Sequence, residues 1–212
     1  WIIRAARRLT GIDDVHGACD MNDGIGRVLV LGANGRLGRA AARAFAAAGW
    51  SVVAQVRRAP ADPLAGGGEY LECENPDAAR IVARARGAEV VENGLHPTYT
   101  RWAREAMPMA RAAIDIATAL GALLMLPGNV YNFGRAMPAL LDEAVPFAPT
   151  TSKGRIRVAI ERAIEDATTR GLRAVVVRAG DFYGGGGRGS WLGPAIARGL
   201  GRGILPPPGP PH

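Results

Sequence analysis

The chain is 212 residues long, enough for one α/β domain with a sizeable core, and carries a formal net charge of +7. Its single lysine is Lys153 and its arginines are scattered through every segment, so no basic run gathers charge for a nucleic acid. No apolar run approaches the ~20 residues that span a bilayer, and Cys19 and Cys73 match no metal-ligand spacing; neither a membrane span nor a metal site is expected, and a reducing, cytoplasmic setting is.

Residues 1–25 open on a basic, mildly amphipathic stretch that Asp13, Asp14, Asp20 and Asp23 interrupt. With no initiator methionine, they are read as an appendage without stable structure. Residues 27–33 form the first predicted strand, where Val28-Leu29-Val30-Leu31 gives the unbroken apolar run of a strand buried on both faces. Gly32, Gly35 and Gly38 follow at the spacing G-x-x-G-x-x-G, and an alanine-rich helix over 36–48 ends at Gly49. A strand, a glycine turn and a helix start together make a receptor for a pyrophosphate. Glycine lets the backbone turn tightly and approach the ligand, and the unpaired amides of the helix start meet its charge. Gly32, Asn34, Gly35, Arg36, Leu37 and Gly38 are the candidate contacts.

The second strand is predicted over 50–57, a Pro- and Gly-rich loop over 59–68, and a short acidic third strand over 69–73. A helix over 76–86 starts with proline, where the missing N–H is harmless. The fourth strand, 88–93, ends at Asn93, placed to pass the adenine ribose. A long helix over 98–120, with Pro108 as a potential disturbance, is a candidate surface for homodimer pairing. A fifth strand over 122–126 leads into a loop reaching about residue 151; a helix over 153–170 and a strand over 173–178 follow. Beyond about residue 200 the chain is a proline-rich tail. Strands alternating with helices of ten or more residues imply a doubly wound parallel α/β sheet, the Rossmann arrangement, over residues 26–200, with its ligand outside the carboxyl ends of the strands.

About twenty residues past the glycines, where an NAD site usually carries an acid for the ribose hydroxyl, the chain reads Gln55-Val56-Arg57-Arg58. Guanidinium groups bind a 2′-phosphate through paired, charge-assisted hydrogen bonds, so Arg57 and Arg58 favour NADP over NAD, with solvated strand-end charges as the bland alternative.

Three segments are diagnostic together: Gly32-Ala33-Asn34-Gly35-Arg36-Leu37-Gly38, Leu126-Pro-Gly-Asn-Val-Tyr-Asn-Phe-Gly134, and Val177-Arg178-Ala-Gly-Asp-Phe-Tyr-Gly184. On these the chain resembles the extended or atypical short-chain dehydrogenase/reductase superfamily, specifically its NAD-dependent epimerase/dehydratase group. The resemblance implies an NAD(P)-dependent enzyme acting on a carbonyl or sugar-type small molecule through a Tyr-x-x-x-Lys pair with a nearby Ser or Thr. Lys153 sits where that lysine belongs, but Pro149 occupies the tyrosine position and Pro127-Gly128-Asn129 the Ser/Thr zone. Tyr131, with Arg135 four residues on, is either a displaced catalytic candidate or a residue that packs in the loop or lines the substrate pocket. His96, alone before Pro97, reads as a loop residue or as one facing the pocket. Two functions follow: a reductase, epimerase or dehydratase, or a catalytically impaired NADP(H)-binding sensor or regulator. The superfamily's substrate lobe is expected to be short or truncated.

Overall fold

The computed structural model describes residues 6–9, 26–73 and 77–180; Cys19, Pro76, the glycine loop around residues 184–192 and the proline-rich tail lie outside them. In chain order the elements are β1 (Ala6–Leu9), β2 (Arg27–Leu31), α1 (Arg36–Ala47), β3 (Ser51–Val56), β4 (Glu69–Glu72), α2 (Ala78–Arg84), β5 (Val90–Asn93), α3 (Trp102–Leu120), β6 (Leu123–Gly128), α4 (Ser152–Thr168) and β7 (Ala174–Arg178). One sheet holds all the strands in the order β1-β7-β6-β5-β2-β3-β4. Every pairing from β7 to β4 is parallel. The doubly wound reading is therefore correct, and the order reverses between β2 and β5, opening a crevice at their carboxyl ends.

The apolar run of β2 is buried on both faces, as its pattern requires. Leu29 and Leu31 join Val91, Ile114, Ile116 and Ile164 in the core beneath α2, α3 and α4. Val28 and Val30 join Ala42, Val52 and Ala54 beneath α1. Pro108 does not break α3, which runs unbroken to Gly121. The proline is exposed, while Trp102, Ala106, Ala110, Ala113, Ile114 and Ala117 hold the helix down on either side of it. Near the start of α2 the Asp77 carboxylate accepts the Arg80 N–H, so the helix begins two residues later than proline suggests.

One expectation is corrected at the start of the chain. Residues 6–9 pair as β1, antiparallel to β7, with Ala6 opposite Val177 and Leu9 opposite Ala174. The outer edge of β7 offers a row of backbone donors and acceptors, and main-chain pairing of this kind leaves no periodicity in a four-residue sequence.

Glu92 is the anomaly of the sheet. It lies in β5 between Val30 and Met125 of the neighbouring strands, is 3% exposed, and its Oε2 has no hydrogen-bond partner. Burial pushes its carboxyl from the ordinary 4.5 up to about 7. The native state therefore keeps a proton that the unfolded chain releases above 4.5. Stability from this residue falls as pH rises through that interval and levels off above 7. Glu92→Gln is expected to match the wild type in urea denaturation at pH 4 and to exceed it by on the order of 3 kcal/mol at pH 8. An equal difference at both pH values would refute the assignment.

Candidate active site at the carboxyl ends of the strands

The glycine turn is built by backbones that pack where no side chain fits. Gly32 has φ +69, and a Cβ there would lie 2.7 Å from the Gly94 carbonyl oxygen. A Cβ on Gly38 would lie 2.6 Å from the Gly32 oxygen, and one on Gly94 2.7 Å from the Leu31 oxygen. The first turn of α1 is thus pressed onto the ends of β2 and β5. Gly35 differs: its nearest obstacle is the Gly32 oxygen at 3.3 Å, and it stands exposed as the N-cap of α1. No side chain caps this helix and no acid lies in its first turn. A positive helix end with no side-chain cap and an open glycine fit a dinucleotide pyrophosphate.

Gln55 holds this turn in place, a role that sequence reading missed. Its buried side chain accepts the Gly32 N–H at 2.9 Å and donates to the Cys73 carbonyl at 2.7 Å, tying the glycine turn to the end of β4. A glutamine inside a strand of valines was the available signal. Asn34 is a brace as well: its amide donates to the Arg58 carbonyl at 3.2 Å and its oxygen accepts the Arg57 N–H at 3.0 Å. The Glu72 carboxylate accepts the Ala59 N–H at 2.9 Å. Arg57 and Arg58 are consequently fixed at the backbone beside the glycine turn, with both side chains exposed. Arg36 and Leu37 lie in the same first turn of α1. Asn93, at the end of β5, turns its side chain onto the Leu95 N–H at 3.3 Å.

At the other end of the crevice, the segments of Tyr131 and Lys153 meet. Lys153 lies in the first turn of α4, whose N-cap Thr151 accepts the Gly154 N–H at 3.0 Å. A Cβ on Gly154 would lie 2.5 Å from the Tyr131 carbonyl oxygen and 3.0 Å from Pro149, so only glycine lets the 131–133 turn approach. Tyr131 is 39% exposed, and its N–H is held by the Asn129 side chain at 3.0 Å. Lys153 Nζ stands 5.9 Å from the centre of the Trp102 ring and Arg157 Cζ 4.9 Å from it. His96 meets the same indole edge-on at 5.1 Å. Partial burial, Arg157 and Lys153 lower the His96 pKa, against a Pro97 carbonyl that accepts from the ring and raises it. The Trp102–Arg157 contact was invisible in the sequence because it joins two helices 55 positions apart.

Beneath this region lies a buried ion pair. Arg178 from β7 and Glu161 from α4 are each 6% exposed and bond through both guanidinium nitrogens. Asn132 donates to Glu161 at 2.9 Å, and the Asn129 carbonyl accepts from Arg178 at 3.0 Å. Phe133 and Phe147 lie 5.2 and 5.4 Å from the guanidinium carbon. The pair therefore fixes the 129–133 turn that carries Tyr131. Among the described residues no cluster of side chains could hold a metal ion, and no helix is long and apolar enough to cross a membrane.

This architecture is the doubly wound Rossmann type, with the glycine turn at the point where strand order reverses. Residues 28–202 match the NAD-dependent epimerase/dehydratase family, and the chain belongs to that family. Over 184 residues it is 29% identical to dTDP-6-deoxy-L-talose 4-dehydrogenase (NAD(P)(+)) of Kitasatospora kifunensis, covering 81% of this chain and 58% of that one. Its fold resembles UDP-glucose 4-epimerase from Brucella ovis in complex with NAD, with a TM-score of 0.63, 20% identity, and coverage of 74% of this chain and 52% of the other. It also resembles the Bordetella bronchiseptica enzyme WbmH in complex with NAD+, with a TM-score of 0.66, 16% identity, and coverage of 84% and 63%. The chain spans less than two thirds of the length of each of these proteins.

Removing one partner of the buried pair strands the other charge. Arg178→Leu is expected to cost about 3–5 kcal/mol in denaturant unfolding, and Arg178→Leu with Glu161→Leu distinctly less than the two single losses added. Additive losses would show that the two side chains do not act as a unit.

Proposed function

We propose that this chain forms the coenzyme-binding part of an NADP-preferring oxidoreductase or epimerase that acts on a sugar nucleotide or similar carbonyl compound in the cytoplasm. The observation that carries the reading is the uncapped, acid-free start of α1 with Gly35 open to solvent, beside the braced Arg57-Arg58 backbone. The dehydrogenase relative supports a deoxysugar nucleotide as the substrate type. The nicotinamide group, when bound, supplies or accepts the hydride. The chain's own residues do the rest. The amides of the first turn of α1 after Gly35 neutralise the pyrophosphate, the Arg57 and Arg58 guanidinium groups bind the 2′-phosphate, and Asn93 borders the adenosine ribose. Lys153, at the positive end of α4, is placed to hydrogen-bond a ribose hydroxyl, and Tyr131 to border the substrate.

Pro149 in place of tyrosine motivates the second reading, a sensor that binds coenzyme without turning over substrate. Calorimetry with NADPH, together with a panel of nucleotide sugars, separates the two: both bind coenzyme, and only the enzyme reduces or oxidises a sugar.

Two variants test the coenzyme assignment. Gly35→Val is expected to leave circular dichroism unchanged and to weaken NADPH binding more than tenfold, because its side chain fills the approach the ligand needs. Arg57→Glu is expected to lower NADPH affinity about tenfold or more while NADH affinity stays within about threefold. Equal losses for both coenzymes would remove the NADP preference.

A further inference from the structure

Resting on the coenzyme-site reading above, we propose that His96 is the proton-transfer group of this site, doing the work of the tyrosine for which the chain has Pro149. Its loop leaves the carboxyl end of β5 directly after Gly94, whose backbone packs on Gly32 and Gly38 of the pyrophosphate turn. The imidazole therefore stands at the same sheet edge as the coenzyme site. It converges with the Lys153 ammonium on one indole, that of Trp102, at 5.1 and 5.9 Å from the ring centre. The Pro97 carbonyl accepts from the ring, which orients the imidazole. The charged groups facing it are Lys153 and Arg157, both from α4, while α3 contributes the uncharged Trp102. Desolvation, with the Arg157 and Lys153 charges added to it, disfavours the protonated ring, so the imidazole is neutral near pH 7, the form a hydroxyl proton acceptor requires.

In the oxidative direction the imidazole takes the proton of the substrate's carbinol O–H. The carbonyl forms as that bond breaks, and the hydride from the carbinol carbon passes to an oxidised nicotinamide coenzyme, which is reduced. Reduction of the carbonyl runs the same transfers backward.

The test uses the full chain, NADP+ or NAD+, and dTDP- and UDP-linked hexoses and 6-deoxyhexoses. His96→Gln is expected to lower kcat about 100-fold or more, with NADPH affinity within twofold of wild type. The acid limb of the wild-type kcat–pH profile is expected to vanish in that variant. By NMR, without coenzyme, the signal lost in His96→Gln is expected to titrate below the ordinary imidazole range and to move upward in Lys153→Met. The proposal is overturned if His96→Gln keeps more than a third of wild-type kcat or retains the acid limb. It is equally overturned if Tyr131→Phe, and not His96→Gln, removes that limb, if Lys153→Met leaves the His96 titration unmoved, or if the wild type binds NADPH but turns over none of the sugars. Failure of the wild type to bind either coenzyme would instead remove the coenzyme site on which the proposal rests.

Discussion

The structure depends on a crossing of backbones at the end of β2. Gly32, Gly38 and Gly94 approach one another so closely that any Cβ would strike a carbonyl or main-chain atom. That approach presses the start of α1 against the sheet at the point where strand order reverses. The helix starts there with no side-chain cap and no acid in its first turn. Glycine is costly in a folded chain because it gives up the most backbone freedom, and here the cost is offset by the buried valines and leucines of β2 on either face of the sheet.

Polar groups inside the domain extend the same logic. Gln55 and Asn34 spend their side chains on backbone, tying the glycine turn to the ends of β3 and β4. Two guanidinium-bearing residues are thereby held beside the glycine turn through their backbone. At the far end, the Arg178–Glu161 pair with Asn132 does for the 129–133 turn what Gln55 does for the glycines. An ion pair of this kind is a poor source of stability, because both charges leave water. Its value here is geometric, since two elements and a turn converge on one carboxylate.

Between these anchors Trp102 gathers Lys153, Arg157 and His96 around one ring, with Pro149 just before α4 and Asn129 just after β6. Desolvation and the Arg157 and Lys153 charges together lower the pKa of the His96 imidazole.

Much was legible from residue order alone, because its causes are local. The unbroken apolar run of β2, the glycine spacing and the alanine-rich helix after it follow from burial on both faces, from the need for a positive φ at Gly32 and from helix propensity. Alternation of strands and helices then restricts the sheet to parallel crossovers. What the tertiary structure alone decided is long-range. The bond from Gln55 to Gly32 spans 23 positions and that from Arg178 to Glu161 spans 17. The pairing of β1 with β7 and the meeting of His96 with Trp102 and α4 likewise have no periodicity to announce them. Such contacts depend on which surfaces the fold brings together and on how buried polar groups find partners there, and neither is encoded in any short window of sequence.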